Sequence, residues 1–116
     1  KVRPLEPALE GFDAWITGRK RFHGGARMSL PVFEFASGRY KVNPLANWTP
    51  DDVELLIKQR NLPRHPLVAQ GYPSIGCWPC TKPSDNPDDP RAGRWAGQAK
   101  SECGLHVEKT ERPRVF

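Results

Sequence analysis

Cys77, Cys80 and Cys103 are the only cysteines in the chain, so any thiol chemistry belongs to them. Cys77-Trp78-Pro79-Cys80 has metal-ligand spacing, since one tight turn can aim both sulfurs at a single ion. Glu102-Cys103-Gly104-Leu105-His106 sets a thiol between an acid and a glycine, with a histidine three residues on. Residue types and spacing leave three readings open. Cys77, Cys80, Cys103 and His106 could form a four-ligand zinc site. The cysteines could be unrelated structural residues. Or the pair could supply half of a metal or iron–sulfur site while Cys103 acts as a separate nucleophile. The flanks favour the last: Arg91, Arg94 and Lys100 precede Cys103, and nearby positive charge stabilises thiolate over thiol. Glu102 opposes that effect. A soft sulfur nucleophile among arginines suits attack on an electrophilic sulfur or phosphorus carried by an anion.

A second basic group, Arg19, Lys20, Arg21 and Arg27, sits with Gly24 and Gly25 in a loop after an expected strand. In open α/β sheets ligands bind beyond the carboxyl ends of strands, so this loop reads as anion-contacting, with Arg27 the leading candidate. His23 and His65 have no evident partner and read as structural.

The elements that must position these residues are short. With 116 residues, 37% of them hydrophobic, the chain is expected to be one domain or part of one, with a modest core. Thirteen prolines and ten glycines predict many turns. The formal charge of +5 favours anionic partners, but without a long basic run it does not point to nucleic acid. No apolar run is long enough to span a bilayer, and an odd cysteine count argues for a reducing compartment, hence the cytoplasm. Residues 1–10 read as a short helix stopped by Gly11. Phe12–Thr17 reads as a short buried strand. Leu30–Phe35 and Arg39–Val42, around Ser37-Gly38, read as a hairpin. The clearest helix starts at Thr49, with Pro50 at its first position and Asp52 placed for a capping box; Asn61 and Pro63 close it. Lys82–Asp89 reads as a loop, Arg91–Gly104 as room for one short helix, and residues 107–116 as a mobile tail.

Three longer stretches carry a resemblance. Gly71-Tyr72-Pro73-Ser74-Ile75-Gly76-Cys77-Trp78-Pro79-Cys80-Thr81, Arg91-Ala92-Gly93-Arg94-Trp95 and Lys100-Ser101-Glu102-Cys103-Gly104-Leu105-His106 resemble the assimilatory adenylyl-sulfate and phosphoadenylyl-sulfate reductases. Asp13-Ala14-Trp15-Ile16-Thr17-Gly18, Asn43-Pro44-Leu45 and Leu62-Pro63 with His65-Pro66-Leu67 look like the same family. The resemblance implies an α/β fold, the C-terminal part of a Rossmann-like layered sheet of the adenine-nucleotide alpha-hydrolase type, over residues 1–106. It implies that Cys103 attacks the sulfur of a sulfonucleotide, releasing AMP and leaving a cysteine S-sulfonate that thioredoxin reduces to sulfite. Arg27, Arg91, Arg94, Lys100 and His106 would bind substrate. Cys77 and Cys80 match the downstream pair of ligands to a four-iron–four-sulfur cluster, with Lys1 near it, and this pair favours adenylyl sulfate over its 3′-phosphorylated form. The upstream Cys-Cys pair and the phosphate loop of the family are not in the sequence, so the chain is expected to be the C-terminal half of such a reductase. Homo-oligomer formation is left open.

Overall fold

The computed structural model describes residues 2–99 and 102–106; Lys1, Lys100 and the expected tail at 107–116 lie outside the described residues. Helix α1 (Val2–Ala8) is followed by strand β1 (Ala14–Ile16), two 3-10 turns, strands β2 (Phe33–Ala36) and β3 (Arg39–Val42), and helix α2 (Pro50–Gln59). Two more 3-10 turns, Pro66–Gln70 and Trp78–Cys80, complete the regular structure. The fold is α/β around a mixed three-stranded sheet of order β1-β3-β2, with β1 parallel and β2 antiparallel to β3.

The hairpin forms where the sequence predicts it. Phe33 pairs with Val42 and Ala36 with Arg39, and the two-residue connection puts Ser37 at φ 53° and Gly38 at φ 73°. Two successive positive φ values define a type I′ turn, whose twist matches that of the flanking strands. Phe35 and Tyr40 meet edge to face across the pair at 4.9 Å.

Helix α2 also starts and stops as expected. The Thr49 hydroxyl accepts from the Asp52 backbone N–H, and the Asp52 carboxylate accepts from Thr49 N–H at 2.8 Å. This satisfies two donors that every helix start leaves open. At the far end Asn61 adopts φ 48°, with Asn61 N–H bonded to Lys58 C=O and Leu62 N–H to Ile57 C=O. That is the paired closure of a Schellman motif, with asparagine in the glycine position.

Two expectations fail. The segment 12–17 does contain a strand, but it is not buried: Phe12 is 61% and Ile16 74% exposed. Side chains alternate across the sheet. Ile16, Phe33, Phe35 and Tyr40 therefore share one face, and all four are exposed. The opposite face carries Trp15, Lys41 and Glu34, and it is this polar side that packs. The second failure is Arg91–Gly104, whose described residues hold turns and one bridge, Thr81 with Arg94, instead of a helix. Gly93 C=O accepts from Lys82 N–H at 2.8 Å, and Trp95 sits at φ 51°. Neither is compatible with helical backbone running through these residues.

The interior is accordingly small and half polar. Among the described residues the buried apolar side chains are Leu30, Ala46 and Trp95, beside buried Thr17, Arg19, Lys41 and Asn43. Asn43 is fully buried and uses every hydrogen-bonding position of its amide. Its Oδ1 accepts from the Thr17 hydroxyl and from Arg19 Nη2 at 3.1 Å. Its Nδ2 donates to Glu34 Oε2 at 2.6 Å and to Pro31 C=O at 2.9 Å. Arg19 closes the ring with an ion pair to Glu34. The network ties the residues just after β1 and β3 together at the carboxyl ends of the two parallel strands.

Candidate oxyanion and thiol site

The loop that follows β1 helps to line a cavity of about 280 Å³. His23, Gly24, Gly25 and Ala26 line one side; Asp89, Arg91, Ala92, Arg94, Trp95 and Glu102 line the other. The basic loop contributes less than its composition suggests. Arg19 is buried against Glu34 and Asn43, Lys20 Nζ donates to Gly18 C=O, and Arg21 Nε donates to Leu30 C=O. Arg19, expected to contact an anion, is instead committed to the polar core. Arg27 is the member of this group that bonds to cavity-lining residues, His23 and Glu102.

The Arg27 guanidinium holds the Glu102 carboxylate with two bonds, Nε to Oε1 and Nη2 to Oε2, the latter 2.8 Å long. Arg91 Nη1 donates to the same Oε1 at 3.1 Å. The three side chains are only 10–15% exposed. Charges this well removed from water are weighty: removing one partner of such a group typically costs about 3–5 kcal/mol. Burial by itself would raise the Glu102 pKa, but bonds to Arg27 and Arg91 and their charge outweigh it and hold the carboxyl at about 2. The sequence marks Glu102 only as a charge working against Cys103. Its role as the acid shared by two arginines depends on contacts that span 75 residues in the case of Arg27.

Arg91 and Arg94 both lie over the Trp95 ring, at 5.2 and 4.6 Å from its centroid. This is cation–π geometry, which fixes planar guanidinium groups without neutralising them. Arg94 also donates from Nε to Cys80 C=O at 3.2 Å and from Nη1 to Ile75 C=O at 3.3 Å. Burial and the Arg91 charge lower its pKa, while the Cys80 and Cys103 sulfurs act in the opposite direction. A side chain at Gly76 would occupy the space of this guanidinium. Gly76→Ala is therefore expected to swing Arg94 out of place with little change in melting temperature, because only the end of a flexible side chain moves. Weaker binding of inorganic phosphate by calorimetry would report the displacement.

Trp95 and His23 went unnoticed in the sequence as site residues. His23 is not an isolated structural histidine, since Arg27 Nη1 donates to its Nδ1 at 3.1 Å. An arginine can only donate, so Nδ1 must be unprotonated and the ring neutral. Burial first, then Lys20, Arg27 and Arg91, push its pKa down to about 4. His65 keeps the structural role expected of it, accepting from Leu67 N–H at 3.1 Å.

His106, expected near the nucleophile, stacks on Trp15 at 5.8 Å with only 11° between the ring planes. Its Nδ1 is buried without a hydrogen-bond partner. Burial, then Arg19, Lys41 and Arg27, lower its pKa to about 4. The segment Glu102–His106 is thus held at both ends, by Glu102 on two arginines and by His106 on Trp15. Cys103 lies between these anchors, half-buried and outside any disulfide.

The two depressed histidines set a pH dependence. Unfolded, each titrates near 6.5; folded, near 4. Between those values the unfolded chain binds more protons, so stability falls as pH drops through the window. Glu102 acts in the same direction lower down, contributing above about 4.5 and losing its effect as pH falls toward 2. The melting temperature is expected to decline from about pH 6.5 downward, and His23→Gln with His106→Gln to flatten the decline above pH 4. A profile unchanged by the double variant would contradict this assignment.

Cys77 and Cys80 bracket the Trp78–Cys80 turn, closed by Cys80 N–H on Cys77 C=O at 2.9 Å. Among the described residues no three His, Cys, Asp or Glu side chains are gathered to hold a metal ion. The zinc site of Cys77, Cys80, Cys103 and His106 that spacing allowed is therefore not formed, and His106 is turned onto Trp15 instead. For an iron–sulfur cubane the turn supplies two thiols. No described residue completes the set, so the described residues do not hold a cluster by themselves.

The sequence and the fold match known proteins. The model of the phosphoadenosine phosphosulfate reductase domain family matches residues 1–83. The chain belongs to that family. It is 50% identical over 111 residues to an adenosine 5'-phosphosulfate reductase of Mesorhizobium japonicum, covering 96% of this chain and 44% of the relative. The corresponding protein of Rhodococcus opacus is 48% identical over 109 residues, covering 92% and 44%. A crystal structure of phosphoadenylyl-sulfate reductase from Candida auris, in complex with phosphate, superposes with a TM-score of 0.56 at 38% identity. That match covers 67% of this chain and 38% of the other. The chain spans less than half the length of these relatives. Among the described residues no helix is long and apolar enough to cross a membrane.

Proposed function

We propose that residues 1–106 are part of the catalytic unit of a cytoplasmic adenylyl-sulfate reductase. The Cys103 thiolate attacks the sulfur of adenosine 5'-phosphosulfate. The bond from that sulfur to the bridging oxygen breaks, its electron pair leaves with AMP, and Cys103 is left as an S-sulfonate. A thioredoxin thiolate then attacks the Cys103 sulfur, sulfite departs with the electron pair of the S–S bond, and a mixed disulfide is left; the second thioredoxin thiol attacks the thioredoxin sulfur of that bond, forming the thioredoxin disulfide and expelling the Cys103 thiolate. Two thiols are oxidised and the sulfonate sulfur is reduced by two electrons. Arg27, Arg91 and Arg94 bind the phosphosulfate and stabilise the charge that builds on the leaving phosphate, the kind of preorganised electrostatic help that outweighs most other catalytic effects. Lys100 and Lys1 join them as substrate and cluster-side cations. Cys77 and Cys80 are two of four ligands to a four-iron–four-sulfur cluster. With four thiolate ligands such a cluster would carry net negative charge, and no step here runs through it.

The observation that carries this reading is the tethering of the Cys103 segment to Arg27 and Arg91 through Glu102, beside a cavity lined by arginines. The adenosine 5'-phosphosulfate reductases among its relatives, together with the Cys77–Cys80 pair, favour the substrate without a 3′-phosphate. The test is sulfite release by the intact protein with thioredoxin. A higher kcat/KM for adenosine 5'-phosphosulfate than for its 3′-phosphorylated form is expected. The opposite preference would reassign the substrate, and no release from either would end the proposal.

A further inference from the structure

We propose that the Glu102 carboxylate is an internal counter-ion, holding guanidinium groups that an incoming oxyanion takes over, so that anion binding releases the residue next to Cys103. The inference rests on the oxyanion role proposed above for Arg27 and Arg91. In the structure both guanidinium groups are already engaged, and by the same carboxylate. An anion cannot use them fully while Glu102 remains. The other acid of the cavity, Asp89, is committed elsewhere, its Oδ1 accepting from the Arg91 backbone N–H at 2.8 Å.

Charge favours the exchange. One carboxylate serves two arginines, and Arg94 beside them is stacked on Trp95 without an acid of its own among the described contacts. The site thus stays positive with Glu102 in place. A tetrahedral oxyanion brings more charge and more acceptor oxygens than a carboxylate and suits forked guanidinium donors at least as well. The consequence follows from chain geometry. Glu102 is one peptide away from Cys103, whereas the other anchor, His106 on Trp15, stands on the far side of Gly104. Exchange frees the cysteine end of the segment and leaves the histidine end held. The nucleophile is thereby kept docked until an anion is bound.

The experiment uses the intact protein with inorganic phosphate as probe. Cys103 labelling by iodoacetamide is followed by peptide mass spectrometry, and phosphate binding by calorimetry, for wild type, Glu102→Gln and Arg27→Ala. Phosphate is expected to speed Cys103 labelling in the wild type by about tenfold, within the usual range of coupling between two sites. Glu102→Gln is expected to label rapidly without phosphate and to bind phosphate about tenfold more tightly. A merely structural role for Glu102 would weaken binding instead. Phosphate binding that needs Arg27, with wild-type labelling unchanged and Glu102→Gln binding no tighter, overturns the exchange while the oxyanion site stands. Absence of phosphate binding in every protein overturns both. Should Glu102→Gln not fold, the wild-type labelling result decides alone.

Discussion

Replacing Cys103 by serine in the intact protein is expected to lower sulfite release by on the order of 10⁴-fold or more, while AMP binding changes by less than about twofold. The sulfur is the only group on the segment Glu102–His106 that can act as a soft nucleophile. A serine hydroxyl in the same place has neither the acidity nor the polarisability to replace it. The groups proposed to bind the anion are untouched, since Arg27 and Arg91 contact Glu102 and Arg94 lies against Trp95 and Cys80 C=O. Steady-state sulfite assays and AMP calorimetry check the two halves. A variant that loses AMP affinity in proportion to activity would make Cys103 a structural residue.

Asn43→Ala is expected to be the most destabilising substitution in the described fold, at about 3–5 kcal/mol. Alanine removes four side-chain hydrogen bonds at a fully buried position. Thr17, Arg19 and Glu34 would remain, dehydrated and short of a partner, and an unsatisfied buried polar group costs more than a hydrogen bond gains. The network also sets where β1 and β3 end, so the loop bearing Arg27 would lose its footing. For a chain of this length the melting temperature is expected to fall by on the order of 15 °C or more, read by circular dichroism or calorimetry. A loss below about 1 kcal/mol would contradict the reading of this network as the core.

Local chemistry made much of this fold legible in the sequence. The Ser37-Gly38 turn and the Thr49–Asp52 cap are each set by neighbours a few residues apart, and both occur where their residues predict them. Burial was not legible in the same way. The apolar run Phe12–Thr17 reads as a buried strand, yet Ile16 shares an exposed face with Phe33, Phe35 and Tyr40, and the opposite face holds Lys41, Glu34 and Asn43. Burial of such residues depends on partners 9 to 26 positions away, which periodicity cannot supply. The site divides along the same line. Arginines near a cysteine could be picked out by type, and Arg27, Arg91 and Arg94 do surround one locality. That Glu102 binds two of them, that Trp95 carries two guanidinium groups, and that His106 rests on Trp15 are tertiary facts. A left-handed tryptophan at position 95 is a conformation no propensity would assign.

If Cys103 is the attacking group, a covalent adduct must form on its sulfur, and that adduct can be mapped. The intact protein is mixed with adenosine 5'-phosphosulfate in the absence of thioredoxin, quenched, digested and analysed by mass spectrometry. One sulfonate per chain on the peptide carrying Cys103, lost again when thioredoxin is added, is the expected result. A sulfonate on Cys77 or Cys80, or turnover with no adduct on Cys103, would contradict it.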